Sequence, residues 1–351
     1  MADTKLTILG MSGSGKTCYL LSMYNDMAGG MAGYTLFSDD DTDADLSSRY
    51  DKMCDNSLGQ ERFPRGTDSV QSYELKLQYA HKTVFSFDWL DYPGEFLRST
   101  NAVHLGDIKK VVNESSALFI CVDGKLLTGG DRATKVRRIR NKGAAVINRF
   151  FSQYERENNK LPPTGFIVTK YDICARDTDA EELMHIIKEA YSTFFVKDRN
   201  NERIAAVFPV SIGEGIAEDG YHGEIEPLNM HLPIFMGIWF ALQDGLLKLA
   251  KEKGVLRSRI ASRIGELQNE LFEKENKFLL FRREKVLAEL REAIRFEQSR
   301  DARQQNRYEA LIDTYEYYEH LLLDELDDKM DLVFLNGELT SFGALAKRMR
   351  G

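Results

Sequence analysis

Near the start of the chain, Gly10-Met11-Ser12-Gly13-Ser14-Gly15-Lys16-Thr17 has the residue types and spacing that hold a phosphate chain. Glycines let the backbone curl so that successive N–H groups aim at phosphate oxygens. Lys16 brings positive charge to the β- and γ-phosphates, and the Thr17 hydroxyl is an oxygen ligand suited to Mg²⁺. The elements that must position this loop are legible on either side. Leu6-Thr7-Ile8-Leu9 reads as a strand, and Cys18-Tyr19-Leu20-Leu21 opens a helix whose N-terminus favours anions. The expected nucleotide-binding residues of this loop are Gly10, Ser12, Gly13, Ser14, Gly15, Lys16, Thr17 and Cys18. A strand delivering such a loop into a helix binds a nucleoside triphosphate.

Three later segments bear on which nucleotide. Asp91-Tyr92-Pro93-Gly94 ends an apolar run; Asp91 can hold Mg²⁺ through water, and the Gly94 N–H can sense a γ-phosphate. Thr169-Lys170-Tyr171-Asp172 follows the core strand Phe166-Ile167-Val168. A carboxylate at Asp172 accepts two hydrogen bonds from the guanine N1–H and exocyclic amine, which adenine cannot supply, while the stem of Lys170 can lie over the base. At the end of the next strand, backbone N–H groups around Ser211 and Ile212 can meet the guanine O6.

Composition narrows the alternatives. The 351 residues carry a net charge of −8, which argues against dedicated nucleic-acid binding. Cys18, Cys54, Cys121 and Cys174 show no C-x-x-C pairing, which predicts reduced thiols and a cytoplasmic setting. No signal peptide is expected before the first strand, and no transmembrane segment: the most apolar helix candidate, Leu232–Ala250, is interrupted by Asp244 and Lys248 and reads as a buried core helix. No histidine has a ligand spacing to another His or Cys, and no Ser-His-Asp or Cys-His set stands out.

Strands alternating with helices predict a three-layer α/β/α domain with a mainly parallel sheet, ending in the strand Ile204–Val210. Val70–Tyr79 and Thr83–Leu90 read as a hairpin around Ala80-His81-Lys82, and the acidic run Ser38–Asp45 as a solvated helix start. From Val255 on, Glu, Arg and Leu dominate. Ile260, Ile264, Leu267 and Leu271, then Leu311, Tyr315, Tyr318 and Leu322, repeat at helix-face spacing. This predicts a helical hairpin joined near Ser299–Gln305, with a short terminal helix over Thr340–Arg350. The domain boundary is expected at 253/254. The basic run Lys135–Lys142 is expected as a solvated helix face.

With its phosphate loop, D-x-x-G, T-K-x-D and Ser211 segments in this order, the chain resembles the translation-factor-related (TRAFAC) class of P-loop GTPases over roughly residues 4 to 250. The stretch Pro64-Arg65-Gly66-Thr67 ahead of a long hairpin is similar to the bacterial double-GTPase group of conflict-system operons. The resemblance implies a Ras-like fold, GTP and GDP, Mg²⁺, and switching between GTP and GDP states. The helices that follow the GTPase segment in sequence add the expectation of a molecular switch that acts on a protein partner through them, or of a homodimer. The resemblance also implies that Thr67 is the threonine that ligates Mg²⁺ only in the GTP state, beside Thr17 and Asp91. Two departures stand out. Thr169 replaces an asparagine, and Glu95 replaces a water-orienting glutamine after Gly94, which predicts slow hydrolysis aided by an arginine from a partner or from Arg98, Arg137 or Arg138. Thr67, Gly94 and Glu95 are the expected catalytic residues. The alternatives are a module that holds nucleotide with little turnover, and an ATPase.

Overall fold

β1 (Thr4–Leu9) delivers the glycine loop into α1 (Lys16–Ala28), as its apolar pattern requires. β2 (Tyr34–Phe37), which four residues of sequence did not announce, precedes α2 (Asp40–Cys54). The acidic run is the start of that helix: the Asp39 carboxylate caps it by accepting from the Thr42 N–H at 3.0 Å, and Asp40, Asp41 and Asp43 sit in the first turn, where the helix dipole favours them. β3 (Gln71–Tyr79) and β4 (Lys82–Asp91) form the expected hairpin; Ala80 and His81 both take positive φ, the geometry of a tight two-residue turn. After α3 (Ala102–Glu114) come β5 (Ser115–Asp123), α4 (Arg132–Ile139), α5 (Ala145–Asn158), β6 (Thr164–Thr169), the single turn α6 (Tyr171–Cys174), α7 (Ala180–Ala190) and β7 (Ile204–Pro209). Two long helices follow, α8 (Leu232–Asn276) and α9 (Arg283–Lys329), then β8 (Val333–Leu335), β9 (Glu338–Thr340) and α10 (Phe342–Arg350). The computed structural model describes residues 4–350 apart from 67–68, 94–95, 97–101, 198–201, 217, 219–221 and 277–282.

Among the described residues the sheet runs β2-β3-β4-β1-β5-β6-β7-β8-β9. From β4 to β7 the neighbours are parallel; β3 is antiparallel to β2 and β4, and β8 and β9 close the far edge antiparallel. β5 shows why its sequence reads as an unbroken apolar run. Leu118, Ile120 and Val122 face a core built with Ile147, Phe151 and Ile186, whereas Phe119 stacks on Trp89 from the other face. Both faces are covered, so no polar alternation survives.

The C-terminal part differs from the expected layout in three ways. Ile204–Val210 is not the last strand: β8 pairs with β7, and Phe334 joins the core beneath it. Residues 299–305 are no joint but lie inside α9, which begins at Arg283 after α8 ends at Asn276. The boundary is not at 253/254. One compact unit comprises Met1–Ala241 with Leu322–Gly351, and the other is Leu242–Leu321. The helical unit is therefore an insertion between two parts of the α/β domain. Within it the two helices run side by side, with Lys253 and Glu309 paired at 2.9 Å and Ile260, Leu267 and Ile294 buried. Within the α/β unit, Ile234, Phe235, Ile238 and Trp239 at the start of α8 are fully buried, and Phe342 of α10 meets Trp239 edge-on at 5.6 Å. The segment Leu232–Glu273 has the length and hydropathy to cross a membrane, and 67% of its most apolar stretch is buried in the protein, in keeping with the core helix expected from its sequence.

Candidate functional site

The loop after β1 is held by its neighbours on both sides. A Cβ on Gly10 would lie 2.8 Å from the Ser14 hydroxyl and 2.9 Å from Cys121 of β5, so only glycine fits where the loop leaves the sheet. Gly15 takes φ 87°, a left-handed conformation, and turns the chain into α1. The Lys16 ammonium folds back to donate to the Gly10 carbonyl at 2.8 Å and is almost fully buried.

β6 braces the same loop. The Thr169 hydroxyl lies 2.8 Å from the Ser14 carbonyl and 3.2 Å from that of Val122. Lys170, itself left-handed at φ 54°, donates to the Gly13 carbonyl at 3.1 Å and pairs with Asp123 at 2.9 Å. The threonine that departs from the expected asparagine thus ties the loop to two strands through a single hydroxyl. Beyond it, Asp172 is fixed at both oxygens: the Ser211 hydroxyl donates to Oδ1 at 2.6 Å, and the Gly215 N–H to Oδ2 at 3.2 Å. Ser211 is buried, and its hydroxyl in turn accepts from the Gly213 N–H at 3.1 Å.

These segments open onto one cavity of about 880 Å³. Of the residues expected from sequence, it is lined by Ser12, Gly13, Ser14, Gly15, Lys16, Thr17, Cys18, Thr169, Lys170 and Ile212. Gly10, Asp172 and Ser211 are not among its lining residues: Gly10 accepts from the lining Lys16, and Asp172 accepts from Ser211, which stands between the lining residues Val210 and Ile212 in sequence. Asp91 is buried at the end of β4, in register with Ile8 of β1, two residues before the loop begins. Thr67, Gly94 and Glu95, and with them Arg98, lie outside the described residues.

The cavity also takes in residues that sequence reasoning did not select. Arg49 and Lys52 reach it from α2, and the segment Gln60–Gly66 forms part of its wall. Arg62, buried in this segment, donates to Asn56 and to the Gly223 carbonyl and lies 5.2 Å over the Phe63 ring. Val210, Ile216 and Met230 supply an apolar side, and Tyr19 anchors it by donating to the Met230 carbonyl at 2.9 Å. The one sequence signal among these residues was the stretch Pro64-Arg65-Gly66-Thr67. The candidate arginines Arg137 and Arg138 sit elsewhere, on α4: the Arg138 guanidinium donates to the carbonyls of Thr128 and Gly129. The basic run is partly structural rather than solvated, since Lys135 is buried and donates to the Asp177 carbonyl and the Thr178 hydroxyl.

Covalent chemistry by thiols has no support here. Burial pushes the Cys18 thiol up to about 11 and the Cys121 thiol up to about 12, so both stay protonated near neutrality. The cavity is lined by the glycine loop with its lysine and hydroxyls, and the Asp172 carboxylate is held by Ser211 and Gly215. A loop of this kind suits phosphate oxygens.

The sequence model of the Double-GTPase 2 family matches residues 5–218. No curated protein matches the chain. Among solved structures, the chain is similar to the signal recognition particle receptor SRb-GTP/SRX complex from Chaetomium thermophilum, with 15% identity, a TM-score of 0.33, and coverage of 55% of this chain and 80% of that one. It is also similar to the S. cerevisiae Ski7 GTPase-like domain bound to GTP, at 13% identity and TM-score 0.35, covering 60% and 43%. A mutant of S. thermophilus NFeoB bound to GDP gives 13% identity, TM-score 0.29, and coverage of 91% and 98%.

Proposed function

Because the chain belongs to the Double-GTPase 2 family, with a GTPase-type nucleotide-binding domain, we propose that it is a Mg²⁺-dependent, GTP-hydrolysing switch that signals to a protein partner through its inserted helices. The observation that carries this is the convergence of the Gly10–Thr17 loop and the Lys170 segment on one cavity, with Asp172 held at both oxygens. A carboxylate fixed by Ser211 and Gly215 is already oriented for two donors on the guanine edge and leaves adenine unmatched. The loop amides and Lys16 hold the phosphates, and binding draws the lysine from the Gly10 carbonyl to the nucleotide.

The oxygen donors suit Mg²⁺. The Thr17 hydroxyl and the buried Asp91 carboxylate are hard ligands, and among the described residues no cluster of three His, Cys, Asp or Glu encloses a metal by itself. That matches a cation whose other ligands are phosphate oxygens and water, with Thr67 as the threonine added in the GTP state. When bound, Mg²⁺ neutralises charge that builds up between the β- and γ-phosphates. Asp91 is the buried last residue of β4, and Gly94 and Glu95 follow it in sequence as the γ-phosphate sensor and water-orienting residue.

Partner signalling is supported by the insertion itself. Leu247, Val255 and Phe272 on α8, and Phe296 and Tyr317 on α9, are large apolar side chains left exposed. Competition of GTP, GDP and ATP for fluorescent GDP in the presence of Mg²⁺, followed by phosphate release from GTP, tests the nucleotide reading. Guanine nucleotides are expected to win by about 10²-fold or more, with GTP turned over. Equal competition by ATP overturns guanine selectivity, and tight GTP binding without phosphate release reduces the protein to a nucleotide-holding module.

A further inference from the structure

We infer that Arg65 supplies, from within the chain, the arginine that stabilises charge on the transferred γ-phosphoryl group; the assignment rests on the GTPase reading above. Three arginines line the cavity. Two are committed elsewhere. Arg62 is buried on Asn56, the Gly223 carbonyl and the Phe63 ring, and Arg49 donates to Asp45 at 3.0 Å and to the Tyr73 hydroxyl at 3.3 Å. Arg65 is exposed and has no hydrogen-bond or ion-pair partner among the described residues. Its neighbour Gly66 fixes which end of the cavity it serves: a Cβ there would lie 3.2 Å from the Ser12 hydroxyl of the phosphate loop. Arg65 therefore stands at the phosphate end beside Ser12, not at the apolar end near Met230.

Such a group accelerates the chemistry. A water oxygen forms the new bond to the γ-phosphorus, and the bond to the β–γ bridging oxygen breaks with its electron pair left on GDP. The protons of the water end on inorganic phosphate and solvent. Negative charge rises on the bridging and equatorial oxygens during transfer, and a planar guanidinium can span two of them at once. Lys16 is a single point charge, so a second, forked cation adds what it cannot supply. The sequence-based alternatives Arg137 and Arg138 lie on α4, with Arg138 bound to the Thr128 and Gly129 carbonyls.

The test uses the full chain as wild type, Arg65→Ala and Arg65→Lys, with single-turnover GTP hydrolysis and fluorescent-GDP binding with and without aluminium fluoride. Arg65→Ala is expected to slow hydrolysis on the order of 10³-fold. Its GDP affinity should stay within about threefold of wild type, while the tightening by aluminium fluoride disappears, since the contact is made only in the transition state. Arg65→Lys should not recover the rate. Hydrolysis within about threefold of wild type in Arg65→Ala, GDP affinity falling in step with the rate, or full rescue by lysine each overturns the assignment. A wild-type protein that binds GTP and never releases phosphate overturns the hydrolase reading itself, and the assignment with it.

Discussion

The hydroxyl of Thr169 lies 2.8 Å from the carbonyl of Ser14, joining residues 155 positions apart and tying the last residue of β6 to the middle of the phosphate loop. The same oxygen lies 3.2 Å from the Val122 carbonyl, so one side chain links two strands and the loop between them. Thr169→Val keeps the shape and removes the hydroxyl, leaving buried carbonyls of Ser14 and Val122 without it. We expect about 1–3 kcal/mol of lost stability in urea unfolding. Weaker nucleotide binding should accompany it, because the loop loses its brace; Thr169→Ser should behave as wild type in both assays.

Asp172 is the base-reading residue in our account, held by Ser211 at 2.6 Å and Gly215 at 3.2 Å. Asp172→Asn replaces an acceptor with an amide that cannot take both guanine donors. Affinity for GTP should fall about 10²-fold while ATP binding changes little, which collapses the preference in a competition assay. An unchanged preference would show that the base is read elsewhere.

The C-terminal segment Leu322–Gly351 completes the α/β unit rather than decorating it. Phe342 is fully buried against Trp239 at a ring distance of 5.6 Å, and β8 pairs with β7. Phe342→Ala is expected to cost about 3–5 kcal/mol by thermal or chemical denaturation. Phe272→Ala, at an exposed position in the helical insertion, should leave stability nearly unchanged.

His231 makes stability depend on pH in a definite direction. Burial is the main cause that pushes its imidazolium down to about 4, and Lys329 adds to it, against Glu325 at 3.4 Å, which pulls the other way. The folded protein therefore holds His231 neutral while the unfolded chain protonates it near its ordinary value of 6.5. Between those two values the unfolded state binds more protons, so stability is full above about pH 6.5 and declines as pH falls toward 4. His231→Gln should flatten that part of the profile, removing a loss of about 2–3 kcal/mol between pH 6.5 and pH 4.5 measured by urea unfolding.

The sequence by itself determined the chemistry-bearing loop, its strand and helix, the hairpin around Ala80 and His81, and the place of Asp172 after β6. Each is a local decision: glycine conformations, apolar runs and caps act within a few residues, and their patterns survive in the text of the chain. What lay beyond reach was decided by contacts between distant segments. β2 and β8 are three or four residues long and gain their strand form only from pairing with β3 and β7. A helical repeat from Leu242 to Leu321 looks alike whether it hangs from a domain or is inserted into one; only the return of Leu322–Gly351 to the sheet makes it an insertion. The basic run of α4 read as a solvated face, yet Lys135 is buried and donates hydrogen bonds to the Asp177 carbonyl and the Thr178 hydroxyl, some forty residues away. The stretch Pro64-Arg65-Gly66-Thr67 was legible, but a role for Arg65 was not, since an arginine's role depends on which partners the fold leaves it, and only the tertiary structure binds Arg62 and Arg49 elsewhere.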